Sequence, residues 1–417
     1  TYDSSYIKYC SIVNINTTIT DSLYMKRGGA LYCGAGNYVE LGNSLIANCK
    51  GYHGGAVYVD SGSIVSVIDC EFFKNTANIM GGGAIRTCEN GPADLQVWNC
   101  LFHYNYARPG GAVMIGKGIK AEFNNCVFYR DTTQSINPHN LDLGGAIAIK
   151  GPADVVLRGC IIFHCSSYEK GGGIYSSDAP IKLINCTLVG NASVYGGGIY
   201  FERNSEPYSP ILINTIVDGS TLYNVKMPCD SAGCGIFIDS LVTPVFQYCQ
   251  FGDTIYDHTI TQYTKNFINS QYGRARFAFR EKRDFYDTLV TGYQLDRRDP
   301  GVDGGTPDTT GLGLPEFDLL GQKRIFGDAV DIGAIEYNDS LVKVMTIPGK
   351  IRKPQSDVNC NSAVIYTISG RKVGTFTGNF SLTALHEMAG RKLPDGMYIV
   401  SLSLSDRQPR QVKLLIK

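Results

Sequence analysis

Neither sign of charge is in excess in this chain. The 38 Lys and Arg balance 38 Asp and Glu, so neither nucleic acid nor an anionic membrane surface is indicated as a partner. No apolar run approaches the ~20 residues of a membrane span, and no segment sustains the 3.6-residue period of a surface helix. No secretion signal is visible, and the sequence starts at Thr1; it reads as a processed or truncated product. The repeat-bearing part has no Asp-Asp pair, and its acidic residues stand singly. That counts against the two carboxylates of a glycoside hydrolase. It counts equally against a lyase, in which several carboxylates hold calcium while a basic side chain takes the proton. The low content of charged residues, with abundant Gly, Asn, Ser and Tyr, fits an extracellular β-protein.

Glycine is plentiful and it is organised. Eight times a run of small residues precedes an aliphatic: Gly28-Gly29-Ala30-Leu31-Tyr32, Gly54-Gly55-Ala56-Val57-Tyr58, Gly82-Gly83-Ala84-Ile85, Gly110-Gly111-Ala112-Val113, Gly144-Gly145-Ala146-Ile147, Gly171-Gly172-Gly173-Ile174-Tyr175, Gly196-Gly197-Gly198-Ile199-Tyr200 and a degenerate Gly233-Cys234-Gly235-Ile236. Counted at the third residue, the steps are 26, 28, 28, 34, 27, 25 and 37. A period near 28 with variable insertions marks a solenoid whose loops grow on one side. A second phrase runs in phase, a polar or small residue, Cys, then an apolar pair. It occurs at Cys49, Cys70, Cys100, Cys126, Cys160 and Cys186, with Thr215 in the same frame and outlying copies at Cys10 and Cys249. Asn follows the aromatic by three in Phe72 to Asn75 and Phe102 to Asn105.

Short alternating segments such as 63–68, 94–98 and 181–184 separate these phrases, bounded by Gly, Asn or Asp. Three strands per turn give a parallel β-helix, right-handed as parallel β connections are. Like residues then stack into ladders about 4.8 Å apart. The glycine pair suits a corner where a Cβ cannot be accommodated. The Gly-Gly-Ala-aliphatic and Phe-x-x-Asn motifs resemble the repeats of chlamydial polymorphic outer-membrane proteins and, more broadly, pectate-lyase-like β-helices of bacterial surface proteins. That resemblance covers about residues 1–250. It implies fold and leaves activity open, because the scaffold carries adhesins, lyases and hydrolases alike.

Fourteen cysteines suggest a disulfide framework in a secreted chain. Here their shared phase points to inward, stacked thiols, with some bridging inside the ladder as the alternative. Cys229 and Cys234 are the pair best placed for a bridge. A metal reading of that pair lacks a second pair of ligands.

From about residue 285 the periodicity changes. Asp299-Pro300-Gly301-Val302-Asp303-Gly304, then Asp318 to Arg324, then Asp331-Ile332-Gly333-Ala334-Ile335-Glu336 are similar to the closing segment of choice-of-anchor Q β-helix proteins. Asp299 stands where Ser is usual, and Gln322-Lys323 precede the Arg. Asp303, Asp318, Asp331 and Glu336 could be a calcium or catalytic cluster. The preferred reading is that they bind backbone amides and cap the open end of the solenoid. Residues 338–417 carry Val364 to Val373, Leu393 to Val400 and Val412 to Lys417, and resemble the type A C-terminal sorting domain of the type IX secretion system, found in Bacteroidota. This resemblance implies an immunoglobulin-like β-sandwich, export across the outer membrane, and a sorting motif at Gly370, Arg371, Gly396 and Tyr398. The module holds 12 Lys and Arg against 5 Asp and Glu, +7, which leaves −7 on residues 1–337. Residues 351–357 read as its linker.

The expected architecture is therefore all-β. It comprises β-helix repeats over 1–284, a closing segment over 285–337, and a sorting domain over 338–417. The expected role is a secreted or outer-membrane-attached surface protein, a non-catalytic adhesin, glycan-binding or structural component, with a lyase or hydrolase acting on an acidic glycan as the alternative. No cofactor is required, calcium being the one candidate. The basic stretch with Arg280, Lys282, Arg283, Arg297 and Arg298 could clamp an acidic glycan, or form a solvated loop. His53, His103, His139 and His164 fall at different phases and read as loop or surface residues. The 26 Tyr could stack on sugar rings or simply stabilise strands. Tyr6 to Ile15 already read as a coil, so further coils are expected to precede Thr1, or a partner chain to cover that end. The insertions near 131–143 and 201–232 are the other places where function could reside.

Overall fold

The residue before each ladder cysteine turns the chain. In the computed structural model, Tyr9, Asn43, Asp69, Asn99, Asn125, Gly159, Asn185, Asn214, Tyr248 and Asn269 all have φ between 48° and 61°. Asn, Asp and Gly enter this left-handed region at the least steric cost, which is why Asn precedes Cys so often. The structure describes residues 4–15, 27–133, 142–205, 207–222, 235–253, 255–257, 267–277, 293–325, 327–337, 360–367, 372–380, 396–404 and 407–416.

One coil runs along Ile64–Ile68, bends at Asp69, and continues as Glu71–Phe73. It bends again at Lys74, continues as Thr76–Met80, and passes Gly82 and Gly83 into Ile85–Thr87. The next coil starts with Asn90–Trp98. Stacked coils form three long parallel faces. Face 1 has ten strands from Ser4–Lys8 to Phe267–Ile268, and face 2 ten from Ser11–Val13 to Gln271–Tyr272. Face 3 has nine, from Leu31–Cys33 to Ile255–Asp257. Register is kept from coil to coil: Phe72 opposes Phe102, which opposes Phe128, then Ile162, Leu188, Val217 and Phe251. The rings of Phe72, Phe102 and Phe128 stack with centroids 4.9 and 4.7 Å apart, so the interior is a column of like residues.

The two glycines of each repeat are glycine for different reasons. The first is left-handed, φ near 70° at Gly28, Gly54, Gly82 and Gly110. The second lies against the next coil. A Cβ on Gly55 would sit 2.1 Å from the carbonyl oxygen of Gly83, and one on Gly83 2.2 Å from that of Gly111. The following Ala56, Ala84, Ala112 and Ala146 are fully buried.

The thiol ladder is present, with one correction. Its members are Cys70, Cys100, Cys126, Cys160, Cys186 and Cys249, and each Sγ lies 3.2–3.4 Å from the carbonyl two residues back. Ser44 and Thr215 take the same position and donate to the equivalent carbonyls of Gly42 and Ile213. The site therefore selects a small side chain with an X–H donor. Cys49 does not belong to it. Ala47 pairs with Phe73, which puts Cys49 opposite Asn75, and its backbone N–H donates to Asn75 Oδ1 at 3.0 Å. All described cysteines whose state is recorded are free thiols; Cys229 and Cys234 lie outside the described residues. Burial pushes Cys249 up to about 12 and lifts Cys160, Cys165 and Cys186 well above the ordinary range, so their thiolates are suppressed. Timed alkylation of the native protein, read by mass spectrometry, should modify the exposed Cys10 promptly and the ladder cysteines only after denaturation. Fast labelling of Cys126 or Cys160 in the native state would contradict this.

Cys49 opens a second ladder with Asn75, Asn105 and Asp131. Asn75 Nδ2 donates to Ile46 O at 2.9 Å and Asn105 Nδ2 to Phe72 O at 3.0 Å, while each Oδ1 accepts the amide of the coil before. Asp131 accepts from Asn105 N at 2.8 Å, but its Oδ2, where an amide nitrogen would sit, is buried without a partner. Burial raises its carboxyl well above the usual range. Asp131→Asn supplies the missing donor and should stabilise the fold by about 1–2 kcal/mol at pH 7, measured by chemical denaturation. A destabilised variant would refute the amide-ladder account.

Residues 293–337 do not close the end of the solenoid. They run back along its flank as a strap over the corner between faces 1 and 2. Thr306 N donates to Asn214 Oδ1, Asn185 Nδ2 to Asp331 O, Ala334 N to Thr187 Oγ1, and Asn125 Nδ2 to Phe317 O, all at 2.8–2.9 Å. Beneath the strap, face 2 carries apolar side chains outward. Val127, Tyr129, Ile161 and Phe163 pack on Ala334 and Ile335, and Ile216 packs with Leu295 and Ile332. A parallel sheet is most stable with both sides covered, and here the chain covers its own outer side. Gly159 breaks the Asn column because a Cβ there would lie 2.4 Å from the Arg324 guanidinium.

The C-terminal module contributes a four-stranded antiparallel sheet, in the order Lys372–Phe380, Cys360–Thr367, Gly396–Leu404 and Arg407–Ile416. Its strand Cys360–Thr367 opposes Ala363 to Leu402 and Tyr366 to Ile399.

Candidate functional site

The expected basic clamp is only partly in view. Arg280, Lys282 and Arg283 lie outside the described residues, as do Gly370 and Arg371. Arg297 and Arg298 are exposed. Arg298 Nε reaches Asp296 Oδ1 at 3.1 Å, an exposed local pair of small energetic weight. Gly396 and Tyr398 open the strand Gly396–Leu404, where Tyr398 opposes Thr367 on one side and Leu414 on the other.

The acidic set is brought together, inside the strap. Asp318 Oδ1 accepts the amides of Leu320 and Gln322, and its Oδ2 accepts that of Glu336. Asp331 accepts the amides of Asp303 and Tyr337, Glu336 Oε2 that of Asp331, and Asp303 those of Asp328 and Ala329. Arg324, 3% exposed, donates from Nη1 to Ala334 O at 2.8 Å and approaches Glu336 Oε1 at 3.9 Å. Burial pushes Asp331 up to about 7 and Glu336 up to about 9, and raises Asp318 too. These carboxylates order irregular backbone, as their spacing suggests, though along the flank. Among the described residues no group of three or more His, Cys, Asp or Glu has the arrangement of a metal site.

Histidine placement corrects the sequence reading at His103, while His164 is exposed at a corner as expected. His103 is buried, stacked on Phe73 at 4.5 Å, with Nε2 2.8 Å from Glu71 Oε1. His164 sits at the second corner, φ 51°, and partial desolvation lowers its pKa. His53 ends the strand Lys50–His53, which pairs with Thr76–Met80 beside face 3, and its ring is 6.3 Å from that of Tyr58. Burial, with Arg86 and Arg27 nearby, lowers its pKa to about 4; His139 lies outside the described residues.

Face 3 carries the most varied chemistry. Its outward column is the residue after each Gly-Gly-Ala-aliphatic phrase: Tyr32, Tyr58, Arg86, Met114, Ala148, Tyr175, Tyr200 and Phe237. At the C-terminal end Tyr200 stacks on Phe237 at 4.6 Å and Tyr175 on Tyr200 at 6.1 Å. Lys170 Nζ lies 5.1 Å from the Tyr200 ring centre, and Glu202 accepts from both Lys170 and Tyr175. That end satisfies itself. At the N-terminal end Asp60 Oδ2 accepts from Arg27 Nη1 at 2.8 Å and from Tyr32 OH at 2.6 Å, and the Arg27 guanidinium stands 5.0 Å over the Tyr58 ring. Arg86 is 4% exposed; its Nη1 donates to Met80 O at 2.6 Å and its Nε has no acceptor. Sequence reasoning passes over Arg27, Tyr58 and Arg86 because the phrase reads as scaffold. The signal lies in its variable next residue, where Arg replaces Tyr at position 86.

Compared with known proteins, residues 90–271 match the family described as right handed beta helix region. Together with the parallel sheets this makes the chain a right-handed parallel β-helix protein over that span. No curated protein and no solved structure matches the chain.

Proposed function

We propose that this is a secreted cell-surface β-helix protein, a non-catalytic glycan-binding or adhesive component exported by the type IX secretion system through residues 338–417. The observation that carries the binding reading is the outward column of face 3. Most of that column, Tyr58 to Phe237, is buried, and it is the N-terminal end that faces outward. There the exposed ring of Tyr32 lies beside the part-exposed Arg27 guanidinium on a rigid sheet, a pairing suited to recognition of a sugar polymer. The acidic side chains of the strap support the non-catalytic part, since they are engaged with backbone amides. The order of the C-terminal strand motifs and the opposite charge of the two regions support the export part.

Two measurements test it. Immobilised glycans should retain the full chain, while a uronate-containing polymer incubated with it should release no ultraviolet-absorbing unsaturated product. Release of such product would make the protein a polysaccharide lyase instead. Fusion of residues 338–417 to a reporter, expressed in a bacterium with a type IX system, should move the reporter to the cell surface or medium. Retention in the periplasm would remove the export reading.

A further inference from the structure

We propose that the N-terminal half of face 3, around Arg27, Tyr32, His53, Tyr58 and Arg86, is a docking site for an acidic glycan, a polymer of pyranose rings bearing carboxylate or sulfate groups. The inference rests on the glycan-binding reading above and gives it a place and a ligand class. Three features set this cluster apart from the self-satisfied end of the same face.

The first is an exposed platform. Tyr32 is 48% exposed and lies 6.0 Å from Tyr58, so its ring can take the apolar side of a sugar. Met80, 41% exposed, stands beside the guanidinium of Arg86, to which its carbonyl is bonded.

The second is cationic groups in excess of their carboxylate partners. Arg27 shares Asp60 with Tyr32. Arg86 has no carboxylate within ion-pair distance among the described residues, and its buried Nε has no acceptor. Lys150, further along the face, is within electrostatic reach of Arg86, Glu89 and Glu202. The charges in electrostatic reach of Arg86 are therefore the cations Arg27 and Lys150 against the one carboxylate of the exposed Glu89. His53, held neutral at pH 7, adds hydrogen-bonding capacity without charge.

The third is how firmly the group is held. Gly54 and Gly82 leave room for Arg86: a Cβ on either would stand 3.3 or 3.0 Å from Arg86 Cβ. Tyr58 is 5% exposed and fixed under the Arg27 guanidinium. An anion on this face would meet the part-exposed Arg27 guanidinium, whose planar donors suit carboxylate and sulfate oxygens, with the buried Arg86 adding positive charge from behind.

The test is calorimetric titration of the full chain with polygalacturonate, with dextran sulfate and with unmodified dextran. Binding of one or both acidic polymers is expected, weakening as salt is added, with none to dextran. Whichever of polygalacturonate and dextran sulfate binds more tightly identifies carboxylate or sulfate as the anion. Arg27→Ala and Tyr32→Ala, both at partly exposed positions, should each weaken binding by about tenfold or more, the loss that one charged hydrogen bond produces. Arg86→Met should do the same, provided its circular dichroism matches the parent. Acidic-polymer binding that Arg27→Ala and Tyr32→Ala leave unchanged would overturn this site while glycan binding stands. Dextran binding as tight as that of the acidic polymers would overturn the ligand class. Absence of binding to all three would overturn the glycan-binding reading itself.

Discussion

Gly111→Val is expected to abolish cooperative folding of the β-helix. A Cβ at Gly111 would lie 2.1 Å from Gly145 O, 2.5 Å from Thr132 N and 2.8 Å from Thr132 O. All three atoms are backbone, held in ladders on both sides, so no side chain can swing away. A β-branched residue adds bulk beyond the Cβ, and the coils on either side would have to separate. The expected cost exceeds about 4 kcal/mol, the range reserved for severe core overpacking. Because coils interact chiefly with neighbours, hydrogen exchange should show protection lost first across residues 105–150 and then beyond. Gly36→Ala is the matched control. Gly36 has φ +74°, but a methyl group there would have nothing within 4 Å, so only the left-handed backbone penalty applies, about 1–2 kcal/mol. Equal effects of the two substitutions would show that torsion, and not close approach, fixes the second glycine of the repeat.

The strap should loosen as pH rises, opposite in direction to ordinary acid denaturation. Asp331 and Glu336 have folded pKa values near 7 and 9, above their ordinary values of 3.8 and 4.5. The folded strap therefore binds more protons than the unfolded one between those limits. Stability is greatest below the ordinary values, declines through about pH 4–9, and is lowest once both groups ionise in place. Arg324 is the cation in reach of both, and it also lowers Asp318 against the effect of burial. Arg324→Met should raise both carboxyl groups further, so that the decline extends to higher pH and the total loss of strap stability at alkaline pH is larger. The readout is local: hydrogen exchange of residues 293–337 and proteolysis at the strap. Asp331→Asn with Glu336→Gln should flatten the pH profile. A strap whose protection rises with pH in the parent protein would refute this assignment.

Much of the architecture is legible from residues with a repeating backbone duty. Asn before Cys reports a left-handed corner, Gly-Gly reports a close approach between coils, and both recur at the coil period. Sequence phase puts Cys49 in the wrong ladder because Ser44 fills the thiol position of that coil, and a hydroxyl making the same bond leaves no cysteine to count. The closing segment is recognisable in sequence, but its course is not. Its partners, Asn125, Asn185, Asn214 and Thr187, look in sequence like any other corner or strand residue. His103 reads as a surface residue because Glu71 and Phe73, which help to bury it, come from the preceding coil. The face 3 cluster escapes sequence reading for a similar reason. Arg27, Asp60 and Arg86 belong to three successive repeats, and only their stacking makes them neighbours.

The strap also fixes how many repeats can lie between its own contacts. Its contacts at Asn125, Asn185 and Asn214 are spaced by the coils between them. A duplicated or deleted repeat inside that interval would put every later contact out of step by a whole coil. Among the described residues, repeats on the N-terminal side of Asn99 carry no such measure. Changes in copy number should accumulate there over evolution, while the strapped coils keep a constant count.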